Sequence, residues 1–273
     1  MSAATLAVFA NHGSAFAGWT PIPKPPGVTS FYSIAAGPGL VFAAANGGSG
    51  GALYAAAAPN WVWGNLLSGF AHIPLEIAAD SSNRLYLIDS ADHHPYRWVG
   101  GSTFALVGAT VGNMPGQGDP FCPAPTEIAV AADRFYVGPC TDGAIFSSNG
   151  TTETWGEAGL PQGFSGRTVA IGGNFLSGAL VMDTAGNTWS TTTLGYVAAT
   201  RPDVAFQRHS HALAHLGGAW LAVGAGTGDG QLLIYNGSAW APFSAGGSVR
   251  KIAASSAIIA AVTNAGDTWV WQP

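Results

Sequence analysis

EIAADSSNRLYLIDSADHHPYRWVGGSTFALV, residues 76–107, alternates short apolar runs with turns built from Asn, Asp, Ser, Gly and Pro. EIAA, RLYLID, PYRWVG and TFALV are the runs, and each is separated from the next by a handful of turn-forming residues. Apolar runs of this length between such turns read as four antiparallel strands joined by hairpins. No stretch sustains a 3.6-residue period without glycine or proline, so no helix of useful length is expected.

The same unit recurs along the chain. A short motif made of a polar residue followed by aliphatic and small residues appears as SIAA at 33, EIAA at 76, EIAV at 127, TVAI at 168, HALA at 211 and KIAA at 251. Each copy is followed by a second apolar run, in order LVFAAA, RLYLID, RFYVG, ALVMD, AWLAVG and AIIAAV, and then by a turn such as CTDG, DTAG or TNAGD. An Asn/Gly-rich turn before an aromatic-led strand closes several units, as in YNGSAWAPF at 235, SSNGTTETW at 147 and WVGGSTFALV at 98. Four antiparallel strands per unit, repeated six times, predict an all-β, six-bladed β-propeller occupying residues 1–273 as one domain. The first thirty residues could hold one strand or two, which leaves five or seven blades as alternatives. The last unit ends at TWVWQP without a fourth strand, while GWTPIP near the amino terminus resembles one. Threading that segment into the last blade would close the ring and remove an exposed sheet edge.

Composition narrows the partners. The chain has 273 residues, 39 of them glycine, a formal net charge of −5 and only nine Lys and Arg together. No basic stripe is available to neutralise a phosphate backbone, so nucleic acid is excluded as a partner. Apolar runs never approach the eighteen or so residues that span a bilayer, so a soluble, monomeric chain with no membrane partner is expected. The opening MSAATLAVFANHGSAFAGW has an apolar stretch and an SAFA segment but no positively charged start, unlike a cleaved signal peptide.

TAGNTW at 184 and NAGDTW at 264 resemble the Asp-box turn, S-x-D-x-G-x-T-W, of sialidase- and lectin-like propellers. Glycine, threonine and tryptophan match, whereas Thr184 and Asn264 stand where the aspartate belongs. In that superfamily the box is a folding device, so the resemblance implies a propeller and no particular chemistry.

In a propeller the first strand of each blade lines the central channel. The residues opening the six motif copies are Ser33, Glu76, Glu127, Thr168, His211 and Lys251, all polar and each followed by an apolar or small residue, as in a strand with one face toward a polar space. His209 lies two positions before His211, about 6 to 7 Å away at strand rise. His215 shares that parity but falls at the far end of its strand. The chain has four glutamates, and two of them stand in this ring. Buried carboxylates need a partner. Glu76 and Glu127 are therefore expected either to pair with Lys251 and His211, or to hold one divalent ion (Ca, Mg, Mn or Zn) together with His209 and His211.

Further polar residues fall at loops and strand starts of the same face: His72, His93 and His94, with Arg167, Arg208 and Arg250 immediately before ring or histidine positions. These, together with Lys251, are candidate ligand-binding residues. Cys122, in the long connection VGNMPGQGDPFCPAP, and Cys140, in PCTDG, lie in loop types that share a propeller face and could meet as a disulfide or a thiol pair. The ring residues differ from blade to blade, which favours one site over six. Catalytic roles are assigned to His211, His209, Glu127 and Glu76, in a metal-assisted lyase or hydrolase acting on a small polar or carbohydrate-like molecule. A glycan-binding lectin without catalysis is the alternative.

Overall fold

The computed structural model describes residues 19–46, 51–70, 72–108, 115–120, 122–131, 134–140, 146–149, 155–157, 162–164, 168–174, 178–183, 187–192, 195–199, 212–216, 219–224, 231–235, 240–244, 249–255 and 258–272. All regular structure among them is strand. β1 (Thr20–Ile22) precedes a first group of β2 (Phe31–Gly37), β3 (Leu40–Asn46), β4 (Gly51–Ala57) and β5 (Val62–Phe70). A second group contains β6 (Pro74–Ala79), β7 (Leu85–Asp89), β8 (Pro95–Gly100) and β9 (Thr103–Leu106). The third has β10 (Glu127–Ala131), β11 (Arg134–Gly138), β12 (Phe146–Asn149) and β13 (Trp155–Glu157). Then come β14 (Thr168–Asn174), β15 (Gly178–Asp183), β16 (Thr188–Thr192) and β17 (Gly195–Ala199), and after them β18 (Ala212–Leu216), β19 (Ala219–Gly224), β20 (Gln231–Tyr235) and β21 (Trp240–Ser244). The chain finishes with β22 (Val249–Ala254), β23 (Ile259–Thr263) and β24 (Thr268–Trp271).

Among the described residues these strands make six four-stranded antiparallel sheets. Five are meanders of consecutive strands; the sixth runs β1-β24-β23-β22, so the first strand completes the sheet begun by the last three. Thr20 pairs with Val270 and Ile22 with Thr268, and the Thr268 hydroxyl donates to the Ile22 carbonyl at 3.0 Å. Lys24 adds an ion pair to Asp267 at 2.8 Å. The first strands pack in sequence, β2 on β6, β6 on β10, β10 on β14, β14 on β18, β18 on β22, and β22 back on β2. That is a propeller arrangement.

Hydrophobic residues between neighbouring sheets hold it together. Ile34, Val41 and Trp63 of the first sheet cluster with Ile258, Val262 and Val270 of the last. Phe42, Leu53 and Phe70 meet Ile77, Leu85 and Leu87 on the other side of the first sheet. Tyr86, Ile88 and Val107 meet Ile128, Val137 and Trp155 between the second and third. The strand-opening aromatics serve this packing: Trp19 and Trp155 are buried, the Trp155 indole donates to the Val107 carbonyl at 2.9 Å, and Phe104 stacks on Phe70. The Trp240 side chain lies outside the described residues.

The Asp-box-like turns are closed by the residue one place earlier than the box would use. The Asp183 carboxylate accepts from the backbone and side-chain amides of Asn187, and the Thr263 hydroxyl accepts from Asp267 N. Among the described residues no helix is long and apolar enough to cross a membrane.

Cys122 and Cys140 form a disulfide, and both are buried. It fastens Cys122 to Cys140, two residues past the end of β11. Residues 115–117 are tied to the second sheet: Gln117 N donates to Asp92 O at 2.6 Å, the His94 imidazole Nδ1 lies 2.8 Å from the Pro115 carbonyl, and Gly116, at φ +131°, is so close to that imidazole that a Cβ would overlap it.

Two outcomes are expected. Deleting residues 1–22 removes β1 and bares the edge of β24, so the truncated protein should aggregate or lose its far-UV spectrum; an unchanged monomer would contradict the closure seen here. Thiol titration of unreduced protein should find no reactive cysteine, and replacing both cysteines by serine should cost about 3 kcal/mol in denaturant unfolding, since the bond closes an 18-residue separation.

Candidate functional site

Ring positions are fixed by backbone register and by the aliphatic residue that follows them. Ser33 pairs with Ala44, Glu76 with Ile88, Glu127 with Gly138 and Lys251 with Val262. The next residues, Ile34, Ile77, Ile128 and Ile252, are all buried between sheets. A β-bulge immediately precedes the ring residue between Phe31 and Ser33, between Pro74 and Glu76, and between Val249 and Lys251. An extra residue in one strand re-aims the side chains around it.

The register corrects two expected ring members. In the fourth sheet the bulge falls between Thr168 and Ala170, Ala170 pairs with Met182, and buried Ile171 follows. Ala170 therefore holds the ring position, and Thr168 is two places short of it. In the fifth sheet Ala212 pairs with Val223 and Leu213 follows, so Ala212 rather than His211 holds the equivalent place. The six ring positions are Ser33, Glu76, Glu127, Ala170, Ala212 and Lys251. His209 and His211, with Arg167 and Arg208, lie outside the described residues.

The polar half of this ring is one connected cluster. Lys251 reaches from β22 to the Glu76 carboxylate at 2.8 Å and to both oxygens of Glu127 at 3.3 Å. Glu76 and Lys251 are buried, and the Glu127 side chain is 12% exposed. Ser33 hydrogen-bonds Glu76 through its hydroxyl and accepts from Ile77 N at 3.1 Å. Of the two arrangements open to the glutamates, the structure shows the lysine pair. A divalent ion on the same two carboxylates would have to displace the Lys251 ammonium, and among the described residues no group of three or more His, Cys, Asp or Glu is placed to hold one.

Two carboxylates and one ammonium leave one negative charge uncompensated, and in a buried setting that charge takes a proton. Burial raises the Glu127 carboxyl to about 8, with Lys251 pulling it down and Glu76 pushing it up. Glu76 is also raised by burial, but Lys251, Ser33 and Arg250 all draw it back. Its contact with Lys251 is the shorter of the two. Burial alone would lower the Lys251 ammonium; the Glu127 and Glu76 carboxylates outweigh it and the net direction is up.

The other sequence candidates fall elsewhere on the molecule. His72 Nδ1 sits 2.6 Å from the buried Asp89 carboxylate, whose other oxygen accepts from the backbone amides of Ile73 and Ala91. Its ring is tilted against Tyr96 and Phe104. His93, at φ +58°, places Nδ1 3.1 Å from the Pro125 carbonyl, and His94 braces Pro115 as described. These three histidines fasten loops and do not join the glutamate cluster. Arg250 is exposed and acts on Glu76 through its charge. Tyr32, the extra residue of the first bulge, went unnoticed in the sequence. Its hydroxyl is buried with no hydrogen-bond partner, and Glu76 acts on it electrostatically.

No protein-family model matches the sequence, and no match is found among curated proteins. Solved structures do resemble it. A catalytically inactive virginiamycin B lyase from Staphylococcus aureus, solved with quinupristin, superposes with a TM-score of 0.61 at 12% identity over 93% of this chain and 99% of that one. A streptogramin B lyase gives 0.62 at 10% identity over 96% and 100%. YCF48 from Cyanidioschyzon merolae gives 0.57 at 13% identity over 94% and 99%. At such identities the likeness is one of fold, and it supports the propeller arrangement.

Folding raises Glu127 from 4.5 to about 8, so its contribution to stability is whole below pH 4.5 and is lost as pH rises through 8. The stability of the protein relative to its Glu127→Gln variant should therefore fall across that window in urea unfolding; a constant difference would show that Glu127 titrates normally. Lys251→Met leaves two buried carboxyls without their cation and should cost about 3 to 5 kcal/mol.

Proposed function

We propose that the six sheets are the blades of one closed ring, that its channel mouth is a single acid–base site, and that the protein is a lyase or hydrolase acting on a small polar or carbohydrate-like molecule. The observation that carries this is the Glu76–Lys251–Glu127 cluster, in which one carboxyl is tuned to exchange a proton near neutral pH. A general acid or base works best when its pKa lies near the operating pH, and enzymes reach that by burying a carboxyl beside another one. The site is asymmetric. Glutamate, glutamate, lysine and serine occupy four ring positions and alanine the other two, whereas a blade-by-blade glycan site would repeat its residues.

In an elimination, the Glu127 carboxylate removes a proton from carbon next to a carbonyl. The carbon–carbon double bond forms as the carbon–oxygen bond breaks, and the same proton passes to the departing oxygen. Lys251, ionised between its two carboxylates, offsets the negative charge that develops. In a hydrolysis, the protonated Glu127 instead donates to the leaving oxygen while water attacks. The two differ in pH dependence. Base-initiated elimination speeds up as Glu127 loses its proton near pH 8, and acid-assisted hydrolysis slows down there. Lys251 supplies a counter-charge in either reaction. The lyases among the fold neighbours are compatible with elimination.

The purified protein should be incubated with polygalacturonate, alginate and quinupristin, following the ultraviolet absorbance of a new conjugated alkene and the release of reducing ends. Turnover of at least one, reduced about 10²-fold or more in Glu127→Gln, is expected. Binding without turnover would make the protein a lectin, and turnover indifferent to Glu127→Gln would remove the cluster from the chemistry.

A further inference from the structure

The two glutamates of the cluster are held differently, and the difference comes from Ser33. Lys251 serves both, at 2.8 Å to Glu76 and at 3.3 Å to each oxygen of Glu127. Among the described residues it is the one donor seen at Glu127, whereas Glu76 has a second in the buried Ser33 hydroxyl on the neighbouring first strand β2. Geometry sets the direction of that second bond. The backbone N–H of Ile77, the residue after Glu76, donates to Ser33 Oγ at 3.1 Å. The hydroxyl is therefore already an acceptor toward β6, and its single proton is left to give. Accepting from Ile77 also polarises the O–H and strengthens the bond that it donates. A hydroxyl donating to one carboxyl of a pair favours the charged form of that one.

We propose that Ser33 is a positioning residue: by donating to Glu76 it makes Glu76 the ionised partner of Lys251 and leaves the proton of the cluster on Glu127. One proton is shared by the two carboxyls, Lys251 keeps all of its own, and the Ser33 hydroxyl never ionises. Other groups on the strands packed against the pair act in the same sense or are committed elsewhere. Arg250 on β22 draws Glu76 toward its charged form, and the Tyr32 phenol on β2, raised by burial and by Glu76, stays neutral. On β7, Asp89 follows Ile88, the register partner of Glu76, so it faces the other side of the sheet and holds His72, while Tyr86 donates to Asp80. Asp183 on β15 accepts from Asn187. Arg134 and Tyr136 on β11 pair with Ala131 and Ala129, further along β10 than Glu127. β3 and β14 carry no titratable side chain. The proposal rests on the acid–base reading of the cluster but concerns where the proton sits in the unliganded protein, which is measured without turnover.

Carboxyl carbon-13 spectra of the unliganded protein with labelled glutamate, assigned by the signals lost in Glu76→Gln and in Glu127→Gln, report the proton at each position. Midway between the ordinary 4.5 and about 8, the parent should show a protonated Glu127 and an ionised Glu76. In Ser33→Ala the preference of the proton for Glu127 over Glu76 should fall about tenfold, as expected for loss of one hydrogen bond to a charged group. The Glu127 signal then moves toward carboxylate and the Glu76 signal toward acid. Ser33→Cys, which keeps the volume but donates weakly, should do the same, and Ser33→Thr, which keeps the hydroxyl, should hold the parent signals. A role confined to packing or to the Ile77 N–H would lower the melting temperature of the variants and move neither signal. Unchanged signals in Ser33→Ala and Ser33→Cys, a shift in Ser33→Thr as large as in Ser33→Ala, or a Glu76 already protonated in the parent would overturn the proposal. The first two outcomes leave the acid–base reading standing as long as Glu127 titrates at about 8 in the parent; a parent Glu127 ionised throughout that range removes the reading as well.

Discussion

Lys251 between Glu76 and Glu127 is the contact on which the centre of this molecule depends. The three side chains come from the sixth, second and third sheets, so one ammonium couples strands more than a hundred residues apart. Ion pairs are an expensive way to fill an interior, because each charge must be stripped of water before the partners repay it. An apolar trio would pack there at lower cost. The arrangement is therefore better understood through what it leaves behind: three ionisable groups, one cation, and a proton with nowhere else to go.

The rest of the fold isolates that proton. Isoleucines following the ring residues are buried between sheets, which fixes strand direction and turns Glu76, Glu127 and Lys251 to the other side of their strands. β1 covers the edge of β24 and completes the four-stranded sheet whose first strand, β22, carries Lys251. The Cys122–Cys140 disulfide and the His94 contact with Pro115 hold segments that precede β10, where Glu127 is the first residue. Packing, closure and the covalent link thus bear on one electrostatic arrangement.

Much of this was legible from residue order. Period-2 runs punctuated by Asn, Asp and Gly mark strands and hairpins directly, and the recurring Ile-Ala after a polar residue marks the first strand of each unit. The glutamates and Lys251 could be placed on one ring because their spacing from that isoleucine is constant. The shift at Thr168 has a physical source. A bulge adds a residue without changing the local apolar pattern, so TVAI looks like an in-register copy although the aliphatic anchor is Ile171. Tyr32 was invisible for the same reason, since ordinary alternation assigns the residue before Ser33 to packing. The functions of His72, His93 and His94 were hidden by long-range partners: Asp89 is seventeen residues from His72, and Pro125 is thirty-two from His93.

The most direct test of a proton held by the Glu76–Lys251–Glu127 cluster is a carboxyl carbon-13 NMR titration with labelled glutamate. The Glu127 resonance, assigned by its loss in Glu127→Gln, should titrate with a midpoint of about 8. A Glu127 midpoint near the ordinary 4.5 would mean that the cluster stores no proton, and the acid–base account of the site would fail with it.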